Sequence, residues 1–122
     1  MDIQIKQNVI RSSDGRIKYK RFSPNGRDHY HLGVWIDGEE RDLDQISFVE
    51  YRLHSTFTNP LRRSANRRNN FSITFWTWGM FQIEVTLHLH NGQTQRLSHN
   101  LAYQLPADEG NNYVDVSQKE EC

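Results

Sequence analysis

The sequence predicts an all-β domain, a sandwich or a barrel. Three observations carry that prediction. Apolar and polar residues alternate at period two along most of the chain. The clearest runs are Tyr30, Leu32, Val34 and Ile36 against His29, His31, Gly33 and Trp35, and Phe81, Ile83, Val85, Leu87 and Leu89 against Gln82, Glu84, Thr86, His88 and His90. Turn signals separate the runs, among them Asp14-Gly15, Ser23-Pro24-Asn25-Gly26, Asp37-Gly38 and Asn91-Gly92. No segment sustains the apolar period of a helix.

The first strand is expected around Ile3 and Ile5, which alternate with Gln4 and Lys6. Ser12-Ser13-Asp14-Gly15 turns the chain, because Asp-Gly tolerates positive φ. Ile17 and Tyr19 then alternate with Lys18 and Lys20, and a third strand follows from His29 to Ile36. Residues 38–45 are acidic and polar and read as a loop. A strand from Ile46 to His54 places Val49, Tyr51 and Leu53 on one face. It gives way to a loop before Asn59-Pro60, where proline removes a donor and restrains the residue before it.

Residues 58–70 carry no apolar pattern but hold Arg62, Arg63, Arg67 and Arg68, and read as a solvated loop. Phe71, Ile73 and Phe75 alternate with Ser72 and Thr74 in the next strand. The hairpin at Asn91-Gly92 has two possible registers. A two-residue turn would set Leu97 against Thr86 on the polar face, whereas a three-residue loop, His90 to Gly92, sets it against Val85. One residue of slip flips every side chain, so the odd loop is expected. The return strand runs through Leu101, Tyr103 and Leu105 to Pro106.

Beyond it lie Asp108, Glu109, Asp115, Glu120 and Glu121 against Lys119, with Tyr113, Val114 and Val116 alone apolar enough to pack. The expected organisation is a β-sandwich domain over residues 1–105 and a mostly disordered acidic tail over residues 106–122.

Composition narrows the function classes. Lys and Arg number 15, as do Asp and Glu, so net charge by itself points to neither nucleic acid nor membrane. The lone cysteine, Cys122, permits no internal disulfide. Met1-Asp2-Ile3-Gln4 opens no apolar run, and no stretch approaches the ~18 apolar residues of a membrane span. A cytoplasmic, reducing compartment is expected, and the sequon Asn70-Phe71-Ser72 is discounted accordingly. The chain has no Gly-rich phosphate loop, no Gly-x-Ser-x-Gly elbow and no internal cysteine nucleophile. His54 and Ser55 would point to opposite faces of a strand, which argues against a Ser-His pair. No enzyme activity and no cofactor is expected.

His88 and His90 share a strand face with Glu84, and His29 and His31 share another. Metals use such spacing, but no cluster of further ligands completes a site, and solvated histidines are the simpler reading. The four arginines suit phosphate contacts, an acidic partner, the chain's own acidic tail or solvent.

The strongest candidate site joins the end of the Leu53 strand to the Phe75-Trp76-Thr77-Trp78-Gly79-Met80-Phe81 stretch. Phe57 and Trp78 would be flat walls, Thr56 a hydroxyl beside His54, and Gly79 a point of close backbone approach. Two aromatic faces, a hydroxyl and exposed amides suit a flat, neutral amide with an apolar tail. Core packing of the same aromatics is the competing explanation.

Tyr-x-Leu-His-x-Thr-Phe-x-x-Pro from Tyr51 to Pro60, then Phe71-x-Ile73, Trp78-Gly79-x-Phe81 and the late Leu97-Ser98-His99-Asn100-Leu101, resembles the YEATS domain from about Gly33 to Leu105. The resemblance implies an immunoglobulin-like antiparallel β-sandwich without catalysis. It implies a protein or peptide partner, and recognition of an acetylated or crotonylated lysine between Phe57 and Trp78. Thr56 would then supply the hydroxyl, His54 the supporting imidazole, and Trp78 a backbone N–H. Thr77 stands where eukaryotic readers carry glycine, and Phe75 and Trp76 replace polar residues. Asn69-Asn70 stands where a proline pair is usual. In these respects the chain is more similar to bacterial YEATS-like domains, whose implied role is protein interaction, as an adaptor or subunit beside signalling or defence modules. Nucleic acid and membrane are not expected partners.

Overall fold

A computed structural model describes residues 1–23 and 26–117. Pro24 and Asn25 of the expected second turn, and Lys119, Glu120, Glu121 and Cys122 of the expected tail, lie outside the described residues. The elements in chain order are β1 (Gln4–Val9), β2 (Ile17–Lys20), β3 (His29–Asp37), α1 (Glu40–Leu43), β4 (Ile46–Arg52), β5 (Leu61–Ser64), β6 (Ile73–Thr77), β7 (Phe81–Leu89), β8 (Thr94–Leu101) and β9 (Tyr113–Asp115). A 3-10 turn spans Arg67–Asn69.

The strands form two sheets, as the alternation predicts. In one, β3 is central: β6 pairs along one edge, β1 and β2 share the other, and β9 adds to β2. The second sheet runs β5-β4-β7-β8, antiparallel throughout. Their inner faces supply one core: Leu32, Val34 and Ile36 from β3, Val49 and Tyr51 from β4, and Ile83, Val85 and Leu87 from β7, with Leu53, Phe71 and Phe75. Burying both inner faces is what makes two amphipathic sheets stack.

β3 is covered on its other face as well. A Cβ at Gly33 would lie 2.7 Å from Asn8 Oδ1 and 3.3 Å from Ile10 Cδ1, so the side chains of Asn8, its partner on β1, and of Ile10 fold over it and would have to shift to admit one. The β7–β8 hairpin takes the predicted odd loop. Leu97 faces Val85, and Leu89 N–H donates to Gln93 O at 2.9 Å around His90–Gly92, with Gly92 at φ 87°.

Four expectations are corrected. Residues 38–45 are not wholly loop, since α1 makes one turn and buries Leu43. Residues 58–70 hold an edge strand: β5 pairs Arg62 with Tyr51 and Arg63 with Glu50. Its residues are exposed or half-buried, so backbone pairing rather than an apolar face forms it, and periodicity had nothing to detect. The sixth strand begins at Ile73, because Asn70 and Phe71 adopt left-handed φ values of 59° and 58°.

The fourth concerns the tail. β9 pairs in parallel with β2, Ile17 opposite Tyr113, Val116 N–H donates to Tyr19 O at 2.9 Å, and Val116 is buried. The described part of residues 106–122 therefore belongs in part to the sandwich. Its acids misled because strand addition to an open edge is driven by backbone hydrogen bonds and by Val116, not by composition.

Candidate functional site

β4 delivers Leu53 into the core and then opens. Leu53 N–H donates to Pro60 O at 2.7 Å, Phe57 N–H turns back to His54 O at 3.0 Å, and Asn59 takes φ 54°. Asparagine tolerates that conformation and is the residue expected at such a bend. Arg62, projecting from β5, donates to Asn59 O at 2.6 Å and Thr58 O at 3.2 Å. The loop is thus held from both ends.

Across from it lies the β6–β7 turn. Thr77 is buried, and its hydroxyl accepts from Gly79 N–H and donates to Gly79 O, both at 3.3 Å. Tyr103 O–H also donates to Gly79 O, at 3.2 Å, and burial raises the Tyr103 phenol above its ordinary value. Gly79 has no positive φ and open space where a Cβ would stand, so what it leaves free is the approach from outside.

Between the two loops is a cleft of about 730 Å³, a size ordinary for ligand pockets. It is lined by His54, Thr56, Phe57, Thr77, Trp78 and Gly79, the six residues expected at the site, and the structure brings them together. Phe57 forms an aromatic triangle with Phe75 (5.7 Å, interplanar 89°) and Phe81 (5.4 Å, 57°). Its orientation is therefore fixed by the core. Trp78 is 50% exposed, and the Arg27 guanidinium sits 4.2 Å from its ring centroid. Among the described residues no ring contact joins Phe57 to Trp78.

His54 Nδ1 lies 2.9 Å from Thr56 Oγ1 and 3.3 Å from the Thr56 amide nitrogen. The direction of the shorter bond follows the imidazole tautomer, and in either tautomer the hydroxyl oxygen keeps a lone pair for a further donor. His54 is exposed and its ring edge meets Phe81 at 6.2 Å.

Sequence reasoning missed the other half of the cleft. Lys20, Phe22, His29, His31 and Trp76 line it from the outer face of the β3 sheet. Trp76 stacks on His31 at 4.5 Å and 6°, with Lys20 Nζ 5.1 Å from its centroid. The signal is the alternation of Lys18 and Lys20, and of His29 and His31; the solvated reading of the histidines is corrected at His31, which is buried under the Trp76 ring. The other candidates disperse. His88 pairs with Glu50 rather than Glu84 and stacks on Phe48, while Arg67 bonds Glu40 and Asp44 beside α1. Arg63 lies over Phe48, and among the described residues no group of three or more potential ligands is arranged for a metal. No helix among them is long and apolar enough to cross a membrane.

The fold and site together define a two-sheet β-sandwich that carries an aromatic cleft between two loops at one end. The chain belongs to the prokaryotic YEATS domain family, whose model matches residues 30–102. It is similar to transcription initiation factor TFIID subunit 14 of Schizosaccharomyces pombe, 37% identical over 68 residues, 55% of this chain. The matched part is 27% of that relative's length. Among solved structures it is similar to the YEATS domain of Yaf9, the yeast AF-9 homolog, recognizing an H3K122suc peptide (20% identity, TM-score 0.57, covering 80% of this chain and 67% of that one). The same domain bound to H3K27ac aligns at 22% identity and TM-score 0.57, over 84% and 70%. These likenesses fix the fold as the immunoglobulin-like sandwich of YEATS domains.

Proposed function

We propose that this domain is a non-catalytic interaction module that binds a peptide in the loop-end cleft, and that the slot beside Thr56 and Trp78 takes an acylated lysine. One observation carries the reading. Of the five exposed large apolar side chains among the described residues, Phe22, Trp78 and Met80 line this cleft. Clustered apolar exposure beside a pocket marks a binding surface, whereas scattered exposure needs no explanation. The Thr56 hydroxyl, in contact with His54 Nδ1, keeps a lone pair for an amide N–H in either tautomer. The Yaf9 domains named as recognizing acylated peptides share the fold.

An adaptor or subunit whose cleft reads nothing is the rival, and the Arg27 guanidinium already seated over Trp78 favours it. Titration of acetyl-, crotonyl- and unmodified-lysine peptides, followed by Trp fluorescence and NMR, separates the two. Acyl-dependent binding on the order of tens of micromolar, abolished by Trp78→Ala, supports the reader. Equal binding of modified and unmodified peptides, or shifts that avoid residues 54–57 and 77–81, leaves the adaptor.

A further inference from the structure

The cleft has a one-signed rim. Lys20 and Arg62 line it, Arg27 lies over Trp78 at its mouth, and no Asp or Glu is among its lining residues. The chain as a whole has as many acids as bases, so a cleft lining with cations and no carboxylate departs from its average. The neighbouring carboxylate, Asp28, is engaged by Arg21 Nε at 2.5 Å. Among the described residues Lys20, Arg27 and Arg62 make no ion pair.

Nor are these cations loose. Lys20 Nζ lies 5.1 Å from the Trp76 centroid and 5.6 Å from that of Phe22. The Arg27 guanidinium is 4.2 Å from the Trp78 centroid, and Arg62 is bonded to two carbonyls of the Phe57 loop. Aromatic faces and carbonyls hold the charges without neutralising them. Three positioned cations around a concave apolar surface focus a positive potential into it.

We infer that the natural ligand of this cleft is an acidic peptide: a segment in which Asp or Glu residues flank the side chain that enters the slot. The inference rests on the peptide-binding reading above and names its substrate class. A basic segment would place like charges against Lys20, Arg27 and Arg62, whereas acidic flanks would find them already positioned. Single-stranded nucleic acid is the competing polyanion. It binds by stacking bases on open aromatic faces. Here His31 and Lys20 already contact Trp76, Arg27 sits over Trp78, and Phe57 is locked into its triangle with Phe75 and Phe81. The observations therefore favour carboxylates.

The test uses the full chain and short synthetic peptides in a two-way design. The central lysine is acetylated or unmodified, and the flanks are acidic, neutral or basic. Acidic flanks should raise affinity over neutral ones on the order of tenfold at low salt, since each exposed pair contributes only modestly. Basic flanks should lower it, and the difference should shrink toward 1 M salt, where the screening length falls to ~3 Å. Lys20→Glu with Arg27→Glu should reverse the flank preference, circular dichroism showing that the variant remains folded. If the variant unfolds, the flank and salt series on the unaltered chain still decides.

A flank preference without acyl dependence upholds the acidic-peptide inference and removes the reader. Acyl dependence without flank preference does the opposite. Failure of every peptide to bind, or displacement of the acidic peptide by oligonucleotides that bind more tightly, overturns the inference.

Discussion

The Tyr51 phenol donates a hydrogen bond to the carbonyl oxygen of Phe71, 2.6 Å away, and both residues are fully buried. Phe71 stands at φ 58°, a conformation that a bulky residue adopts only when its surroundings compel it. Ile36 N–H holds Asn70 O at 3.0 Å, and Asn66 O holds Phe71 N–H at 2.9 Å. One β4 side chain thus fixes the corner from which β6 leaves toward Trp78. Tyr51→Phe keeps the ring but orphans a buried carbonyl, and should cost about 1–3 kcal/mol. Urea unfolding should show a lower midpoint at unchanged slope. A loss below about 0.5 kcal/mol would mean that the Asn66 and Asn70 bonds hold the corner alone.

The same phenol sets an alkaline limit. Burial pushes Tyr51 well above its ordinary 10.0. The native chain therefore keeps a proton that the unfolded chain releases above pH ~10, and unfolded protein gains as pH rises. Stability from this group is complete below pH ~10 and falls above it by about 1.4 kcal/mol per pH unit. Tyr51→Phe should remove that slope; an identical alkaline profile in both proteins would assign it to other groups.

His99 works in the opposite sense. Its Nε2 donates to Gln7 Oε1 at 2.6 Å, while Gln7 Nε2 donates to Ala102 O at 2.7 Å, so β1 of one sheet is tied to β8 and its exit in the other. Burial lowers the His99 pKa below 6.5. Protons then favour the unfolded chain, and the contribution, present at neutral pH, is lost as pH falls through that region. His99→Gln should flatten the stability profile as pH falls below about 6.5. Wild-type and variant curves that run parallel below that pH would contradict the shift.

Much of this was legible in the sequence because burial writes itself as alternation. β3 and β7 each bury one face against the other sheet, and the hairpin register followed from keeping Leu97 beside Val85. What lacked an apolar face was invisible: β5, an edge strand of Leu61–Ser64, and β9, which brings little more than Val116. The cleft was half legible. Phe57 and Trp78 stood out as aromatics beside breakers, whereas Lys20, Phe22 and His31 reach it by sheet geometry and sit on faces that look like solvent.

β9 offers a direct check on the strand hidden in the acidic segment. Val116 and Ile17 are both buried, outside the main core cluster. Val116→Asp places an unpaired charge there, and should cost about 2 kcal/mol or more, with the amides of Tyr113–Asp115 losing hydrogen-exchange protection. Protection unchanged from wild type would show that backbone pairing to β2 suffices without Val116.

The proposed reading stands most directly on Thr56. His54 Nδ1 lies within hydrogen-bonding distance of both the amide and the hydroxyl of Thr56, and in either imidazole tautomer the hydroxyl oxygen keeps a lone pair for a ligand N–H. Thr56→Val retains the shape and deletes that acceptor. A ligand amide bonded there should bind about fivefold to tenfold more weakly, the equivalent of roughly 1–1.4 kcal/mol. His54→Ala frees the hydroxyl to rotate and should give a smaller loss, and Thr56→Ser should be nearly neutral. Thr56 and His54 are both exposed, so the melting temperature should stay within about 2 °C of wild type in all three. Isothermal titration with acetyl-lysine peptide reads the series. Val and Ser variants of equal affinity would place the amide elsewhere in the cleft, and the hydroxyl would then serve only to hold the His54 turn.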